Sequence, residues 1–293
     1  MEKPMVSYCL ISYNQENFIR DAIESALKQD YHPLEIIISD DNSSDRTFEI
    51  AEQVVTEYKG THSVILNQNK RNLGIREHCN KLFYEISTGK YIFLAAGDDV
   101  SKENRVSEYM RYFIRNPEIM SISCLSQEVD EELTPIKSND EWNGSFSIYT
   151  IDDYIRFRDF IINSGDSRAL KRDVIELFPP LKYPDAEDIS LFYRSLLIGN
   201  CGYIREPLVM RRHHSNNVSD RNIKDYEPLR KQFIEDTEYG KEKGYISDSM
   251  YEKCLNKVEH IIEFFDLYWG CAYKTPKVFF YRTLRKFFHV TKI

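Results

Sequence analysis

Acidic side chains stand at two points in this chain where an apolar run stops. Asp40 and its neighbours follow the apolar residues 34–38, and Asp98-Asp99 follow the apolar residues 91–95. Parallel strands end at one edge of a sheet, where open α/β folds bind ligands, so we expect these carboxylates to lie together. Carboxylates suit Mg²⁺ or Mn²⁺, which keep positions open for diphosphate oxygens. The pattern predicts metal-assisted group transfer.

Hydrophobic periodicity predicts the elements that position these acids. Strands are expected over residues 5–13, 34–38, 64–66, 91–95 and 119–124, with amphipathic helices between them. Repeated β-α units predict an α/β fold with a doubly wound, mainly parallel sheet flanked by helices. Ser43 or Ser44 is expected to cap the second helix. The predicted inner helix faces are Ile19, Ala22, Ile23, Ala26 and Leu27; Phe48, Ala51, Val54, Val55 and Tyr58; Cys79, Leu82, Phe83 and Ile86; and Val106, Tyr109, Met110 and Phe113.

The second half of the chain is less regular. Residues 125–150 are polar and without clear period, which predicts a loop or a small excursion beside the acceptor side of a cleft. Helices are expected over residues 152–162 and 186–198, the latter ended by a Gly199-Asn200 C-cap. We therefore expect one domain over residues 1–219, with a nucleotide-binding half (1–124) and an acceptor half (125–219), followed by a C-terminal helical extension over residues 220–293.

Composition limits the class of protein. The 39 basic and 47 acidic side chains give a formal net charge of −8, which argues against a nucleic-acid partner. The six cysteines are scattered without zinc or thiol-exchange spacing, so most are expected to be buried and reduced. The apolar residues 5–11 make a poor signal peptide, and no run is long enough for a bilayer. A cytoplasmic protein is expected.

Six ordered blocks resemble family 2 glycosyltransferases of GT-A fold, and the resemblance covers about residues 5–219. It implies transfer of a sugar from a nucleoside-diphosphate sugar to a saccharide or lipid-linked saccharide hydroxyl, with inversion at the anomeric carbon. Surface polysaccharide or lipopolysaccharide assembly is the implied setting. The blocks are residues 10–14, 40–47, 72–74, 89–99, 187–188 and 212–219.

The resemblance assigns the nucleotide site. It implies that the Asp40 carboxylate accepts the ring N–H of uracil or thymine, a charge-assisted hydrogen bond. Tyr13 would stack on the base, Ile11 would line the same site, and Arg71 would approach the phosphates. The alternative is that residues 40–45 form only a turn and a helix cap, since Asp, Asn and Ser favour such corners.

The resemblance also assigns the metal site. It implies that Asp99 binds Mn²⁺ or Mg²⁺ and that Asp98 contacts the ribose, or the metal through water. The family places a third aspartate two positions before the last, whereas this chain has Ala96 and Gly97 there. The alternative is a plain Gly-Asp turn.

Two later blocks complete the implied site. Asp188 would be the catalytic base that removes the acceptor proton, with Glu187 as its alternate or positioning neighbour. Both are also simple first-turn acids favoured by the helix dipole. His214 would ligate the metal or meet the diphosphate, and Arg212 would counter the diphosphate charge. Both are also ordinary solvated loop residues in the alternative interpretation.

The C-terminal segment carries a different signal. Residues 274–293 hold six Lys or Arg and no acid. Phe280, Leu284, Phe287 and Phe288 share one helical face, which fits either an anionic membrane interface, with the enzyme peripheral at the inner face of the membrane, or a helix packed on the protein.

Two rival functions stay open. A sugar nucleotidyltransferase would need a Gly-rich loop after the first strand, and residues 11–16 contain no glycine. A nucleotide-sugar-binding protein without activity is made thinkable by Ala96. Loss of turnover with retained binding on substituting Asp188 separates an enzyme from that binding protein.

Overall fold

Strands and helices alternate along the computed structural model, which describes residues 3–136, 143–156, 167–183, 187–215 and 227–269. The strands are β1 (Val6–Ser12), β2 (Leu34–Asp40), β3 (Ser63–Gln68), β4 (Tyr91–Ala96), β5 (Val100–Ser101), β6 (Ile119–Val129), β7 (Phe146–Tyr149), β8 (Ala169–Lys171) and β9 (Asn200–Arg212). The helices are α1 (Ile19–Leu27), α2 (Thr47–Glu57), α3 (Ile75–Lys81), α4 (Arg105–Arg115), α5 (Ile151–Arg156), α6 (Asp173–Glu176), α7 (Glu187–Ile198), α8 (Glu227–Glu242) and α9 (Asp248–Trp269). A π-helical turn (Leu82–Ile86) continues α3.

The described strands form one mixed sheet in the order β3-β2-β1-β4-β8-β6-β9-β5, with β7 paired to β9. Strands β3, β2, β1 and β4 are mutually parallel, as predicted. Strand β8 is antiparallel to both β4 and β6 and interrupts the parallel order, which the parallel pair β6 and β9 then resumes. The predicted α/β class, a mainly parallel sheet flanked by helices, is confirmed.

Alternation along the central strands builds a core on each face of the sheet. Tyr8 and Leu10 of β1 belong to one hydrophobic cluster, whereas Cys9 between them belongs to the other. This is the period-2 pattern of a strand covered on both sides. The predicted helix faces pack on these cores: Ile19 and Ala22 of α1 are fully or almost fully buried.

The prediction of a loop over residues 125–150 was wrong in part. Strand β6 continues to Val129, and β7 follows within the same stretch. The distal part of β6 pairs with β9, Gln127 opposite Met210, and this pairing satisfies the backbone. Because its side chains are only partly buried, the segment lacks the apolar alternation that marks a strand in sequence.

Two predicted caps have other roles. Ser43 donates to Asp40 and Ser44 donates to Asn14 instead of capping α2, and the Asp45 carboxylate accepts the Thr47 N–H at 2.9 Å. Helix α7 ends at Ile198 as predicted, but Gly199 has no positive φ. A Cβ on Gly199 would lie 2.5 Å from the Glu118 carbonyl oxygen, so close backbone approach requires the glycine there.

Helices α8 and α9 pack onto α7. Tyr193 of α7 stacks on Phe233 of α8, with ring centroids 4.3 Å apart, and Cys254 of α9 joins the same cluster. The predicted helical extension is therefore present through residue 269. The boundary at residues 219/220, the rest of the predicted helix over 152–162 and the basic segment 274–293 lie outside the described residues.

The cysteine prediction holds for the described residues. Cys9, Cys79, Cys124, Cys201 and Cys254 are buried, and none of them forms a disulfide. Burial raises the pKa of the Cys201 thiol to about 12, which makes it unreactive. Among the described helices, none combines the length and apolarity needed to cross a bilayer.

Candidate functional site

The ends of β1, β2 and β4 lie side by side at one edge of the sheet. Ser12 pairs with Asp40, and Ile11 pairs with Ala96. The ladder continues beyond the strands, because the Gly97 N–H donates to the Ile11 carbonyl at 2.9 Å. Tyr13, just past β1, is 45% exposed and presents its ring to solvent at this edge.

Asp40 is fully buried at the end of β2. Its carboxylate accepts the Ser43 N–H at 2.9 Å, the Ser43 hydroxyl and the Gln68 amide at 3.3 Å. The turn role that competed with the functional interpretation is therefore real. Contact with a base stays a prediction.

Asp41 organises the corner that follows β3, a role that the sequence analysis missed. Its carboxylate accepts the Leu73 and Gly74 N–H groups, each at 2.9 Å, and the Asn69 amide at 2.8 Å. Gly74 has φ +77°, which favours glycine. Arg71, on the loop held by these bonds, has a side chain 77% exposed and lies 3.8 Å from Glu77. The sequence signal for this role was the second aspartate directly after Asp40.

His78 lies beneath this corner, buried on α3. Its Nε2 is 2.6 Å from the Ser39 hydroxyl, at the end of β2. Burial lowers the pKa of His78, while the neighbouring Asp41 and Asp40 carboxylates oppose that shift. In the sequence, nothing distinguishes a histidine on an apolar helix face from an ordinary residue of the hydrophobic core.

The blocks around residues 98 and 213 meet, although they are more than a hundred positions apart. His214 Nε2 lies 3.0 Å from Asp98 Oδ2, and both side chains are largely buried. The Asp99 carboxylate accepts the Arg212 N–H at 2.9 Å. Strand β9 makes this possible, since Met210 pairs with Val100 directly after Asp99.

The donor set here fits Mn²⁺ or Mg²⁺ held by few protein ligands. Over the described part of the chain, no three His, Cys, Asp or Glu side chains form a ready-made metal cluster. Asp99 and Asp98 supply hard oxygen atoms and His214 an imidazole, which suits an ion that takes its other ligands from phosphate and water. The predicted metal roles of Asp99 and His214 stay predictions.

Arg212 lies behind this cluster. Its guanidinium is buried, donates to Asp21 of α1 at 2.9 Å and lies 4.8 Å over the Phe18 ring. The same ring contacts His214, with centroids 4.5 Å apart. Arg212 thus supports the segment that carries His214. A direct contact with diphosphate stays a prediction. The adjacent His213 pairs instead with Glu128 of β6.

Glu187 and Asp188 begin α7, both half-buried. Asp188 Oδ1 accepts the Ile189 N–H at 2.8 Å, a first-turn contact. Burial raises the pKa of the Cys79 thiol on α3, and Glu187, Asp188 and Asp41 raise it further. Helix α7 packs on α3, since Leu191 of α7 and Cys79 of α3 belong to the same buried cluster. The base role stays a prediction.

Comparison with known proteins gives a family match and several glycosyltransferase relatives. The model of Glycosyl transferase family 2 matches residues 7–178. An uncharacterized glycosyltransferase of Haemophilus influenzae is 28% identical over 224 residues, 74% of this chain and 68% of that relative. Further curated relatives align over only 22% to 47% of their own length.

Solved structures show the same fold. S. aureus TarS 1–349 in complex with UDP-GlcNAc superposes with a TM-score of 0.69 at 12% identity, over 93% of this chain and 76% of that one. The mannosyltransferase PcManGT from Pyrobaculum calidifontis, in complex with GDP-Man and Mn²⁺, gives 0.55 at 14% identity, over 100% of this chain and 82% of that one.

Proposed function

This chain belongs to glycosyl transferase family 2, and we propose that it is an inverting enzyme that moves a sugar from a nucleoside-diphosphate sugar to an acceptor hydroxyl. One observation carries the proposal. The Asp98–His214 contact and the Asp99–Arg212 bond assemble acids and an imidazole beside the strand ends that bear Asp40. Such an arrangement suits a diphosphate and its counter-ion.

Donor binding would use the edge formed by β1, β2 and β4. Tyr13 would stack on the base, and Asp40 would accept its ring N–H, with Ile11 alongside. Arg71 would approach the phosphates. A bound Mn²⁺ or Mg²⁺ would neutralise charge on the leaving diphosphate, and Asp99 and His214 are the residues that would hold it. Asp98 would contact the ribose.

The transfer itself would use the start of α7. Asp188 would take the proton from the acceptor hydroxyl while that oxygen bonds to the anomeric carbon. The bond from the anomeric carbon to the diphosphate oxygen breaks, and the nucleoside diphosphate leaves with the electron pair. An α-linked donor would give a β-glycoside. Glu187 would position Asp188 or share its role.

The acceptor would be a saccharide or a lipid-linked saccharide, in surface polysaccharide or lipopolysaccharide assembly. This rests on the family resemblance alone. Contact of residues 274–293 with an anionic membrane would suit such an acceptor. Vesicle binding that is unchanged on truncation after Pro276 would remove the membrane part of the proposal.

A thermal-shift panel tests the proposal. The purified chain would be melted with UDP, UDP-GlcNAc, GDP and GDP-mannose, each with Mn²⁺, with Mg²⁺ and with chelator. A nucleotide at a hundred times its Kd should stabilise the fold by about 2.7 kcal/mol, only when metal is present. The best donor is then assayed for nucleoside diphosphate release with a saccharide panel. No shift with any member would overturn the proposal.

Asp188→Asn distinguishes an enzyme from a protein that only binds the nucleotide sugar. The variant should keep the metal-dependent thermal shift and lose turnover. Binding by the wild-type chain without release of nucleoside diphosphate under any condition would favour the inactive binding protein.

A further inference from the structure

Residues 181–183, which we call the bridge segment, lie shortly before α7 and are held from two sides. Asn80 of α3 binds one residue, Leu181, through both the nitrogen and the oxygen of its side-chain amide. Its Nδ2 donates to the Leu181 carbonyl at 2.9 Å, and its Oδ1 accepts the Leu181 N–H at 3.1 Å. Arg76, one turn earlier, donates to the Lys182 carbonyl. Helix α3 therefore fixes the backbone of the bridge segment.

Helix α8 holds the bridge segment from the other side. The Lys182 N–H donates to Gln232 Oε1 at 2.9 Å. The Lys182 ammonium and the Tyr183 hydroxyl both reach the Glu235 carboxylate, at 2.9 and 2.5 Å. Gln232 is 1% exposed, so its amide can be satisfied only by the protein.

The contacts on α8 lead back to α7. Gln232 Nε2 donates to Asp236 Oδ1 at 3.0 Å, and Asp236 forms a bidentate ion pair with Arg194, at 2.8 and 2.9 Å. Both charged groups are buried, and removing one partner of such a pair leaves an uncompensated charge. Arg194 lies on α7, six positions after Asp188. One polar network thus joins the bridge segment to α7, the helix that carries Asp188 in its first turn.

Helix α3 also connects to the corner organised by Asp41. The helix begins after Gly74, whose N–H is held by Asp41. The Asn80 amide lies on the second turn of that helix and contacts the bridge segment, while the corner lies at the helix start. The two contacts are therefore separable, and a change at Asn80 leaves the bonds of Asp41 in place.

We propose that Asn80 is a positioning residue that sets the place of Asp188 through the bridge segment. The inference rests on the proposed function, in which Asp188 removes the acceptor proton. A displacement of about 1 Å at a reacting group can cost about 100-fold in rate. Only a side chain with adjacent donor and acceptor satisfies both the N–H and the C=O of Leu181. An aspartate at position 80 accepts but does not donate, and it would face the Leu181 carbonyl with a negative oxygen.

The test uses the full chain with Asn80→Asp. Asn116→Asp is the matched control, because the Asn116 amide donates to the Tyr112 carbonyl at the end of α4, away from the bridge segment. Turnover of the best donor from the thermal-shift panel should fall about 10- to 100-fold in Asn80→Asp, with its nucleoside diphosphate Kd within about twofold of wild type. The acid limb of the kcat profile should shift. The control should change neither.

A second variant and a second measurement cover poor folding of Asn80→Asp. Arg76→Met removes the bond to the Lys182 carbonyl, and Arg76 is partly exposed, so the fold should tolerate it. Turnover should fall in the same direction by a smaller factor. Hydrogen exchange of a peptide spanning residues 177–183 should quicken in both variants, because a bridge segment that has lost a donor to one of its carbonyl groups opens more often.

The outcomes separate this inference from the function beneath it. Normal turnover in a variant with faster bridge exchange would overturn the positioning role. A fall in turnover that is accompanied by a clear loss of nucleotide affinity and a lower melting temperature would also overturn it, because those three changes together indicate general damage to the fold. A wild-type chain that binds no nucleotide and releases none would overturn the proposed function itself, and the inference with it.

Discussion

Strand β2 carries a buried carboxylate at each end, and the two ends differ in what donates to it. At the first end, Glu35 accepts the Ser7 hydroxyl at 2.5 Å, the Thr88 N–H at 2.6 Å and the Gly89 N–H at 3.2 Å. These donors lie on β1 and directly before β4. The first end is therefore closed within the framework of the sheet.

The other end is closed mostly by loops. Most donors to Asp40 and Asp41 belong to the turn after β2 and to the corner at Leu73 and Gly74, and the amides of Gln68 and Asn69, at the end of β3, complete the set. The loop that reaches this corner also carries Arg71, which is well exposed. Burial and hydrogen bonding of a carboxylate are thus the same at both ends. The two ends differ in another respect: a loop held by Asp41 carries an exposed side chain, that of Arg71, and this exposure points to a ligand.

The largest expected effect is on the rate of transfer and concerns Asp188. Asp188→Asn should lower kcat by about 10²- to 10⁴-fold, because a general base of this kind contributes that much. Melting temperature should stay near the wild-type value. Steady-state release of nucleoside diphosphate measures the effect. Asp173→Asn, a first-turn aspartate of α6, is the matched control and should keep full turnover. Equal losses in both variants would contradict the assignment.

A change at Glu35, at the first end of β2, should lower the stability of the fold and leave the rate unchanged. Glu35→Gln places an amide among donors that need an acceptor, so the free energy of unfolding should fall by about 2 kcal/mol. Turnover per folded molecule should not change. Urea unfolding measures the first quantity, with Glu24→Gln, an exposed glutamate of α1, as control. An activity loss in Glu35→Gln without lost stability would break the distinction between the two ends.

Asp41→Asn should have an intermediate effect, on binding. The variant keeps one acceptor oxygen but faces the Leu73 or Gly74 N–H with its amide, so the corner loosens. Nucleoside diphosphate affinity should fall about tenfold, or about 1.4 kcal/mol, the worth of one charge-assisted bond. Calorimetric titration with metal measures the change. Asp130→Asn is the control, since that carboxylate also accepts two loop N–H groups, of Glu132 and Thr134. Unchanged affinity in Asp41→Asn would contradict the role.

The smallest effect concerns pH. The pKa of His78 is lowered in the folded protein, so the unfolded chain takes up a proton first as pH falls below about 6.5. Stability due to neutral His78 is present above that pH and is lost below it, at up to about 1.4 kcal/mol per pH unit. His78→Gln should flatten this dependence. Urea unfolding at pH 7.5, 6.5 and 5.5 measures it, and identical slopes would refute the assignment.

Much of the parallel half was predictable because its signals are local. Apolar runs with acids behind them located β2 and β4, and helical spacing located the buried faces of α1 and α4. Both signals depend only on the spacing of apolar residues within a few positions of each other, so the local sequence carries the information. The distal part of β6 and strand β7 were missed because their stability comes from pairing with β9, not from an apolar pattern.

The residues of the candidate site likewise fall into two groups, those that a local sequence pattern predicts and those whose role depends on a distant element. Tyr13 and Asp40 lie at strand ends, where a sequence pattern predicts them. The roles of Asp41, Asn80 and Gln232 could not be predicted, because each depends on partners from another element. A buried arginine such as Arg194 gives no sequence signal that its partner is Asp236 on a different helix.

The amino-acid sequence by itself established the family, the α/β class and the set of acids available for donor chemistry, since these follow from short-range periodicity and ordered blocks. Folding in three dimensions decided which partner each of these and other polar side chains contacts. His214 reaches Asp98 across 116 positions, and Asn80 holds Leu181 across 101. Such contacts form only when the sheet brings distant strand and helix ends together, because the order of strands in space differs from their order along the chain.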